Sequence, residues 1–462
     1  MSRRTLRLLV VVLACAVLAA ACAREPASPT PTEVPTPTSV PTEAPIDLEG
    51  RIVKIAHWGD LNPNPDSADY ADYVALIDEV ESKYNCTFEF ITTNDWHAYN
   101  TFILTTALSG ELIADVFWAG DQVFPKWVST DLVLPLNDIF DLEHPCWNLK
   151  ASESFKLDDQ YYGLTNWPDA LGHVVLFNKR IISEFNIPDL YALQESGEWT
   201  WDKLVEYAKL CTKDRDGDSK IDVWGFGTYG STGANPEPFI YSNGSTPCYF
   251  DEQGKLVFNL DDPAAIEAID FCHKLVEEYK VVYTAEPTWG IWEGLWKKGK
   301  IAFFSAASWN LFPYREALAN DQFGMLLMPR GPKADDYVNA QSYPSGVFMQ
   351  KMVEEPKKVA AALSDLFMPQ EWQANSDHTK LWENFVFDEE SLDTVRMIKG
   401  RTVSLMGGSA MWFRDNVLWY DWGINRKIPT QTFIEEIRQP SIQSFEDLWS
   451  GKLELPTPVP EE

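Results

Sequence analysis

The chain has 462 residues, 45% of them hydrophobic and 23% charged, and a formal net charge of −31. So large an excess of acids excludes nucleic acid as a partner, because binding phosphates needs clustered Lys and Arg. It suits a soluble exported protein, and the length allows two α/β lobes with sizeable cores.

Arg3, Arg4 and Arg7 form a positive n-region ahead of the apolar stretch Leu8 to Ala21. That pattern is a secretory signal, too short to span a membrane comfortably. Arg7 sits where a twin-arginine signal prefers an apolar residue, so the general secretion route is expected. Leu18-Ala19-Ala20-Ala21-Cys22 resembles a bacterial lipobox, with Leu18 one place earlier than the usual Leu. The alternative is an ordinary signal with an incidental Cys. Loss of three signal arginines and no acids makes the mature charge −34. From Ala23 to Pro45 the chain is dominated by Pro and Thr, which favours extended polyproline II and reads as a stalk.

Arg51 to Ala56 alternates and is β-branched, predicting a first strand. His57-Trp58-Gly59-Asp60 follows as a loop, then a helix from about Asp69 to Tyr84 and a strand over Thr87 to Thr92. Tyr99 to Leu108 reads as a helix, and Ala114 to Phe117 as a buried strand opening into Trp118-Ala119-Gly120-Asp121. Strand–helix alternation implies a mostly parallel sheet, with ligands beyond the carboxyl ends of strands, where Asp60, Trp118 and Asp121 lie. Tyr161 to Leu164 and His173 to Phe177 read as paired strands around Trp167-Pro168. Thr200 is expected to cap the helix Trp201 to Cys211. A helix from Pro263 to Tyr279, strands at Ile301 to Phe304 and Phe323 to Met328, and a helix from Lys357 to Met368 complete the reading.

Asp214-Arg-Asp216-Gly-Asp218-Ser-Lys220-Ile-Asp222 puts acids at positions 1, 3, 5 and 9 of an EF-hand-type loop. Such spacing wraps carboxylates round one hard cation, with the Lys220 carbonyl at position 7 and Ile221 packing the loop down. Position 6 is Ser219 and position 12 is Gly225. The expectation is a structural Ca²⁺; the alternative is an acidic turn without metal. After Cys15 and Cys22, the remaining cysteines (Cys86, Cys146, Cys211, Cys248, Cys272) are odd in number, leaving disulfides and buried thiols both open. The 19 Trp are unusual: indole faces stack on pyranose rings, although most Trp serve as core.

In order along the chain, these segments resemble the extracellular solute-binding family 1, the family of the maltose-binding protein. Asp115-Val-Phe-Trp-Ala-Gly-Asp121 is similar to its strand and loop carrying a stacking Trp and a hydroxyl-binding Asp. Gln122 stands where maltose binders carry Arg, which argues against maltose itself. The His57 to Asp60 loop resembles a sugar-contacting loop. VVLFNK (Val174 to Lys179) resembles the strand after the first hinge crossing, and Trp199 to Leu204 a common helix start. Asn235-Pro-Glu237-Pro-Phe239 resembles a ligand-facing turn. Lys298 to Trp309 resembles a strand that re-crosses the hinge, with Trp309 stacking on sugar. Either Trp412 or Trp419 lies near a further stacking position; Trp412 is taken with Trp58 and Trp167 into the candidate set.

The resemblance implies an α/β, two-lobed periplasmic-binding-protein fold of type II, with signal 1–21, stalk 22–47, lobe 1 from 48–168 and 302–368, lobe 2 from 169–301 and 369–452, and a flexible tail 453–462. It implies a monomeric, non-enzymatic, extracytoplasmic lipoprotein binding a carbohydrate between closing lobes for the permease subunits of an ABC importer. Asp and Glu accept hydroxyl hydrogen bonds while Trp or Phe covers the sugar face. Rival readings are the same fold binding a peptide, polyamine or metal chelate, and a secreted glycoside hydrolase or lyase. Against an enzyme, no Ser-His-Asp or HExxH pattern is present. Among the six His, His57 and His97 read as polar surface, and His173 is expected to pack at the hinge.

Overall fold

The computed structural model describes most of the chain between residues 45 and 449. Residues 1–44 and 450–462 lie outside the description, as do 66–69, 94–98, 100–101, 107–108, 121–123, 167–171, 252–255, 308–309, 341–344, 368–381, 399–400, 404–421 and a few single positions. The first sheet begins with β1 (Arg51–His57), whose alternation buries Val53 and Ile55. Helix α1 (Tyr70–Tyr84) connects it to β2 (Cys86–Thr92), which lies parallel to β1 from Arg51↔Cys86 to His57↔Thr92. Parallel neighbours need such a crossover. β3 (Val116–Gly120), buried throughout, pairs with β1 on its other side and leads to the short α2 (Phe124–Ser129). At the start of β3 the buried Asp115 pairs with Arg51 and accepts the Lys54 N–H at 2.8 Å, tying the two strands together.

The chain then adds β4 (Gly163–Leu164) and leaves for a second sheet. That sheet is built from β5 (His173–Asn178), helix α3 (Trp201–Cys211), β6 (Trp224–Thr228), helices α4 (Glu237–Ser242) and α5 (Pro263–Glu277), β7 (Ile301–Ala307), α6 (Leu311–Ala317) and β8 (Phe323–Leu327). Its order is β8-β5-β7-β6. After the two-residue β9 (Asn339–Ala340), β10 (Ser345–Met349) returns to the first sheet, and α7 (Pro356–Leu366) packs on α1. The first sheet then reads β2-β1-β3-β10-β4. The chain goes back to the second lobe with α8 (Glu389–Ile398) against β8, and β11 (Thr402–Val403) beside β9. Helix α9 (Thr430–Trp449) closes the described chain. Apolar cores result around each sheet: one large cluster in the second lobe and two, around Val116 and around Phe117, on the first sheet.

Four expectations need correction. Tyr161 to Leu164 and His173 to Phe177 do not pair with each other: β4 pairs with β10 and β5 with β7 and β8, in separate sheets. Nor does the chain return to lobe 1 at residue 302. All seven residues of β7 are buried, and its ladders to β5 and β6 hold it centrally in the second sheet. The return falls between Ala340 and Ser345. The C-terminal segment is not confined to lobe 2 either, since α9 touches α5 there and α2 in lobe 1. Finally, Thr200 occupies the N-cap of α3 with extended backbone, yet its side chain makes no cap hydrogen bond. That helix is held instead by the buried stripe Trp201, Leu204, Tyr207, Ala208 and Cys211.

Where the lobes join, Gly172 is pressed against the second crossing. It has φ +60°, and a Cβ there would sit 2.0 Å from the Ala340 carbonyl oxygen. Only glycine meets both demands at low cost. The five cysteines of the globular part are buried thiols outside any disulfide. No described helix is long and apolar enough to cross a membrane.

Candidate ligand-binding site

In the first sheet the carboxyl ends of the parallel strands are His57, Thr92 and Gly120, and antiparallel β10 starts at the same edge, Ser345 opposite Gly120. β4, antiparallel to β10, also ends there and runs on to Asn166. In the second sheet the parallel pair β6 and β7 end at Thr228 and Ala307, and β5 begins beside them, His173 opposite Ala307. Two of the chain's passages between the lobes start and end at these edges, from β4 to β5 and from β9 to β10. Crevices at such carboxyl edges are where open α/β sheets take ligands.

On the first edge, Trp58 stacks on His57 with ring centroids 4.1 Å apart and meets Tyr99 edge-on at 6.0 Å. The loop is fixed by the Gly59 N–H donating to His57 Nδ1 at 2.9 Å and by Thr92 Oγ1 donating to the Trp58 carbonyl at 3.2 Å. His57 is thus half-buried rather than a surface residue, and burial lowers its pKa. The buried Tyr99 hydroxyl lies 2.9 Å from the Ala56 carbonyl and 2.8 Å from that of Trp118, bracing β1 against β3. Asp60 is exposed. Its carboxylate accepts the Asn62 backbone N–H at 2.9 Å and Nδ2 at 2.7 Å, which hold it below the usual carboxylate range.

Trp118 departs from its expected role. It is 4% exposed and lies with Val116 in the lobe 1 core, edge-on to Phe367 at 5.0 Å, so it presents no open indole face. Phe239 departs further: it is 0% exposed and packs among Trp201, Phe226 and Phe271 at 5.3–5.9 Å. It belongs to the lobe 2 core. Glu237, two residues earlier at the start of α4, is buried, with its N–H donated to Asn235 Oδ1 at 3.1 Å. Asn235 in turn donates its N–H to Thr228 Oγ1 at 3.3 Å, which ties this turn to the carboxyl end of β6. Cys22, Asp121, Trp167, Trp309, Trp412 and Trp419 lie outside the described residues.

A family model for bacterial extracellular solute-binding proteins matches residues 64–374, about two thirds of the chain. The chain belongs to that family. Solved structures agree on the fold. A maltose/maltodextrin-binding domain from Bdellovibrio bacteriovorus, bound to maltotriose, aligns with TM-score 0.62 at 17% identity, covering 86% of this chain and 100% of that one. An ABC substrate-binding protein from Listeria monocytogenes, in complex with cycloalternan, aligns with TM-score 0.61 at 16% identity over 86% of this chain and 99% of that one. The GacH receptor of Streptomyces glaucescens, crystallised unliganded and with acarbose, gives 0.59 at 15% identity over 86% and 99%. This solute-binding protein thus has the two-lobed type II architecture.

Remote from the crevice motifs, the acidic loop after α3 brings carboxylate oxygens of Asp214, Asp216 and Asp218 within 4.8 Å of one another. Asp214 accepts the N–H groups of Gly217 at 2.7 Å and Ser219 at 2.9 Å, and Asp222 accepts that of Arg215 at 2.8 Å. Ser219, at the position where the EF-hand pattern has Gly, adopts φ +69°. Position 6 therefore takes the left-handed conformation without glycine, while Gly217 takes it two residues earlier. Ile221 does not pack the loop down; it is 37% exposed. Gly225 cannot carry a twelfth-position acid, because a Cβ there would lie 2.1 Å from the Ala208 carbonyl oxygen. Three converging hard oxygens suit Ca²⁺.

Proposed function

We propose that this solute-binding protein binds a carbohydrate between its lobes and hands it to an ABC importer without transforming it. The observation that carries the reading is that the chain passes between the sheets at their carboxyl edges, with Trp58 and His57 at the edge of the first and the Asn235–Glu237 turn tied to the end of β6 in the second. Aromatic faces and carboxylates are the groups that recognise the apolar faces and hydroxyl rims of neutral sugars. The maltotriose, cycloalternan and acarbose bound by its structural neighbours support the same class. Asp121, Trp167, Trp309 and Trp412 keep their proposed ligand-facing roles. Thermal denaturation against a panel of neutral mono- and oligosaccharides, with peptides and polyamines alongside, tests the reading. A sugar should raise the melting temperature once its concentration exceeds Kd and be recovered chemically unchanged. Stabilisation by a peptide or polyamine alone, or hydrolysis of the sugar, would overturn it.

The same reading includes anchoring to the cell membrane through an acylated Cys22, function as a monomer, and a structural Ca²⁺ held by Asp214, Asp216, Asp218, Lys220 and Asp222. In support of anchoring, the chain enters the globular body at the amino end of β1, where Leu48 and Gly50 donate N–H groups to Tyr84 and Asn85 carbonyls at 2.8 and 2.7 Å. The candidate site is at the opposite end of that strand, about 20 Å away.

A further inference from the structure

His173 and Asn310 are both 7% exposed, and His173 Nε2 and Asn310 Oδ1 are buried without a hydrogen-bond partner. Buried polar atoms are almost always paired, so two such atoms in one region need a reason. His173 opens β5 opposite Ala307, and Asn310 comes three residues after Ala307, so both belong to the carboxyl edge of the second sheet. Asn310 stands at the N-cap of α6, where an Asn side chain ordinarily accepts from the first helical turn; here it makes no cap bond. Across the first crossing, Asn166 Oδ1 at the edge of the first sheet is likewise buried and unpartnered.

We propose that His173, Asn310 and Asn166 are ligand-contacting residues that take hydroxyl groups of the bound solute and confine it to neutral polyhydroxy compounds, rejecting anionic sugars. This rests on the carbohydrate reading and narrows it. Amide oxygens only accept hydrogen bonds, and a neutral imidazole offers one donor and one acceptor. Burial pushes the His173 pKa down to about 4, which keeps the ring uncharged at neutral pH. A sugar hydroxyl satisfies either kind of group, whereas a carboxylate or phosphate brings only acceptors. None of His57, Trp58, Asn166, His173, Thr228 or Asn310 is cationic. The next cation after Asn310 is Arg315, which lies over Phe387 with 4.7 Å to the ring centroid. Phe387 packs on Phe323, at the far end of the sheet.

The test is calorimetry on the full mature chain with maltotriose, cellotriose, xylotriose and mannotriose, and trigalacturonate as the anionic probe. At least one neutral trisaccharide should bind and trigalacturonate should not. His173→Phe and Asn310→Ala should each weaken the neutral ligand by roughly 5- to 100-fold, the cost of leaving a desolvated hydroxyl unmade. Circular dichroism establishes that each variant is folded; if His173→Phe is not, Asn310→Ala decides. Unchanged affinity in a folded variant would mean that water alone satisfies these atoms and would overturn the proposal, as would binding of trigalacturonate. Failure of every neutral sugar to bind the wild type would instead defeat the carbohydrate reading itself.

Discussion

Glu237 and Phe239 sit two residues apart in one helical turn, yet burial means different things for them. Removing a phenylalanine ring from water is worth about 1.5–3 kcal/mol, so Phe239 among Trp201, Phe226 and Phe271 is sufficiently explained as core. A buried carboxylate costs free energy unless partners or a ligand use it. His173 allows a test at this scale. Its folded pKa is about 4 against an ordinary 6.5, because burial disfavours the charged ring. As pH falls the unfolded chain therefore takes the proton first. The contribution of the neutral ring is complete above about pH 6.5 and is lost between there and pH 4, amounting to roughly 3 kcal/mol. Urea unfolding at pH 7 and pH 4.5 should show a steeper loss in the wild type than in His173→Phe. Equal losses would mean that the imidazole is solvated in solution.

Two elements carry their own predictions. In the loop after α3, Asp214, Asp216 and Asp218 converge at the surface, where backbone N–H groups and Lys220 offset part of their mutual repulsion and a bound cation would offset more. Chelator should lower the melting temperature relative to excess Ca²⁺, and the double change Asp214→Ala with Asp216→Ala should remove that difference without abolishing sugar binding. Superimposable melts would leave the loop as an acidic turn without metal. At the crossing, Gly172→Ala should destabilise by about 2 kcal/mol or more. A left-handed backbone with a side chain is strained, and the new methyl meets the Ala340 carbonyl. Unchanged stability would mean that the two crossings are not held together in solution.

At the scale of the whole molecule, separate apolar cores in each lobe make relative lobe motion the expected response to ligand. Helix α9, which touches elements of both lobes, would have to accommodate that motion. Anchoring belongs to this scale too. Cys22→Ser should abolish palmitate labelling and release the protein from membranes in soluble form. Labelling that persists in the variant would reject the lipobox.

The sequence by itself determined whatever depends on local spacing. Period-two alternation in Arg51 to His57, the apolar stripe of Trp201 to Cys211, and the i, i+2, i+4 acids of Asp214 to Asp218 are all legible because neighbours in sequence decide them. Membership of a sheet was not legible. Ile301 to Ala307 is apolar throughout and fits the centre of either lobe; only its ladders to His173–Asn178 and Trp224–Thr228 assign it to the second. The same holds for side-chain roles. Trp118 became core because Phe367, from a distant part of the chain, covers it, and Asn310 stands out only because its cap bond is missing. Burial is a property of long-range packing, and whether an aromatic or amide serves the core or a ligand is decided there.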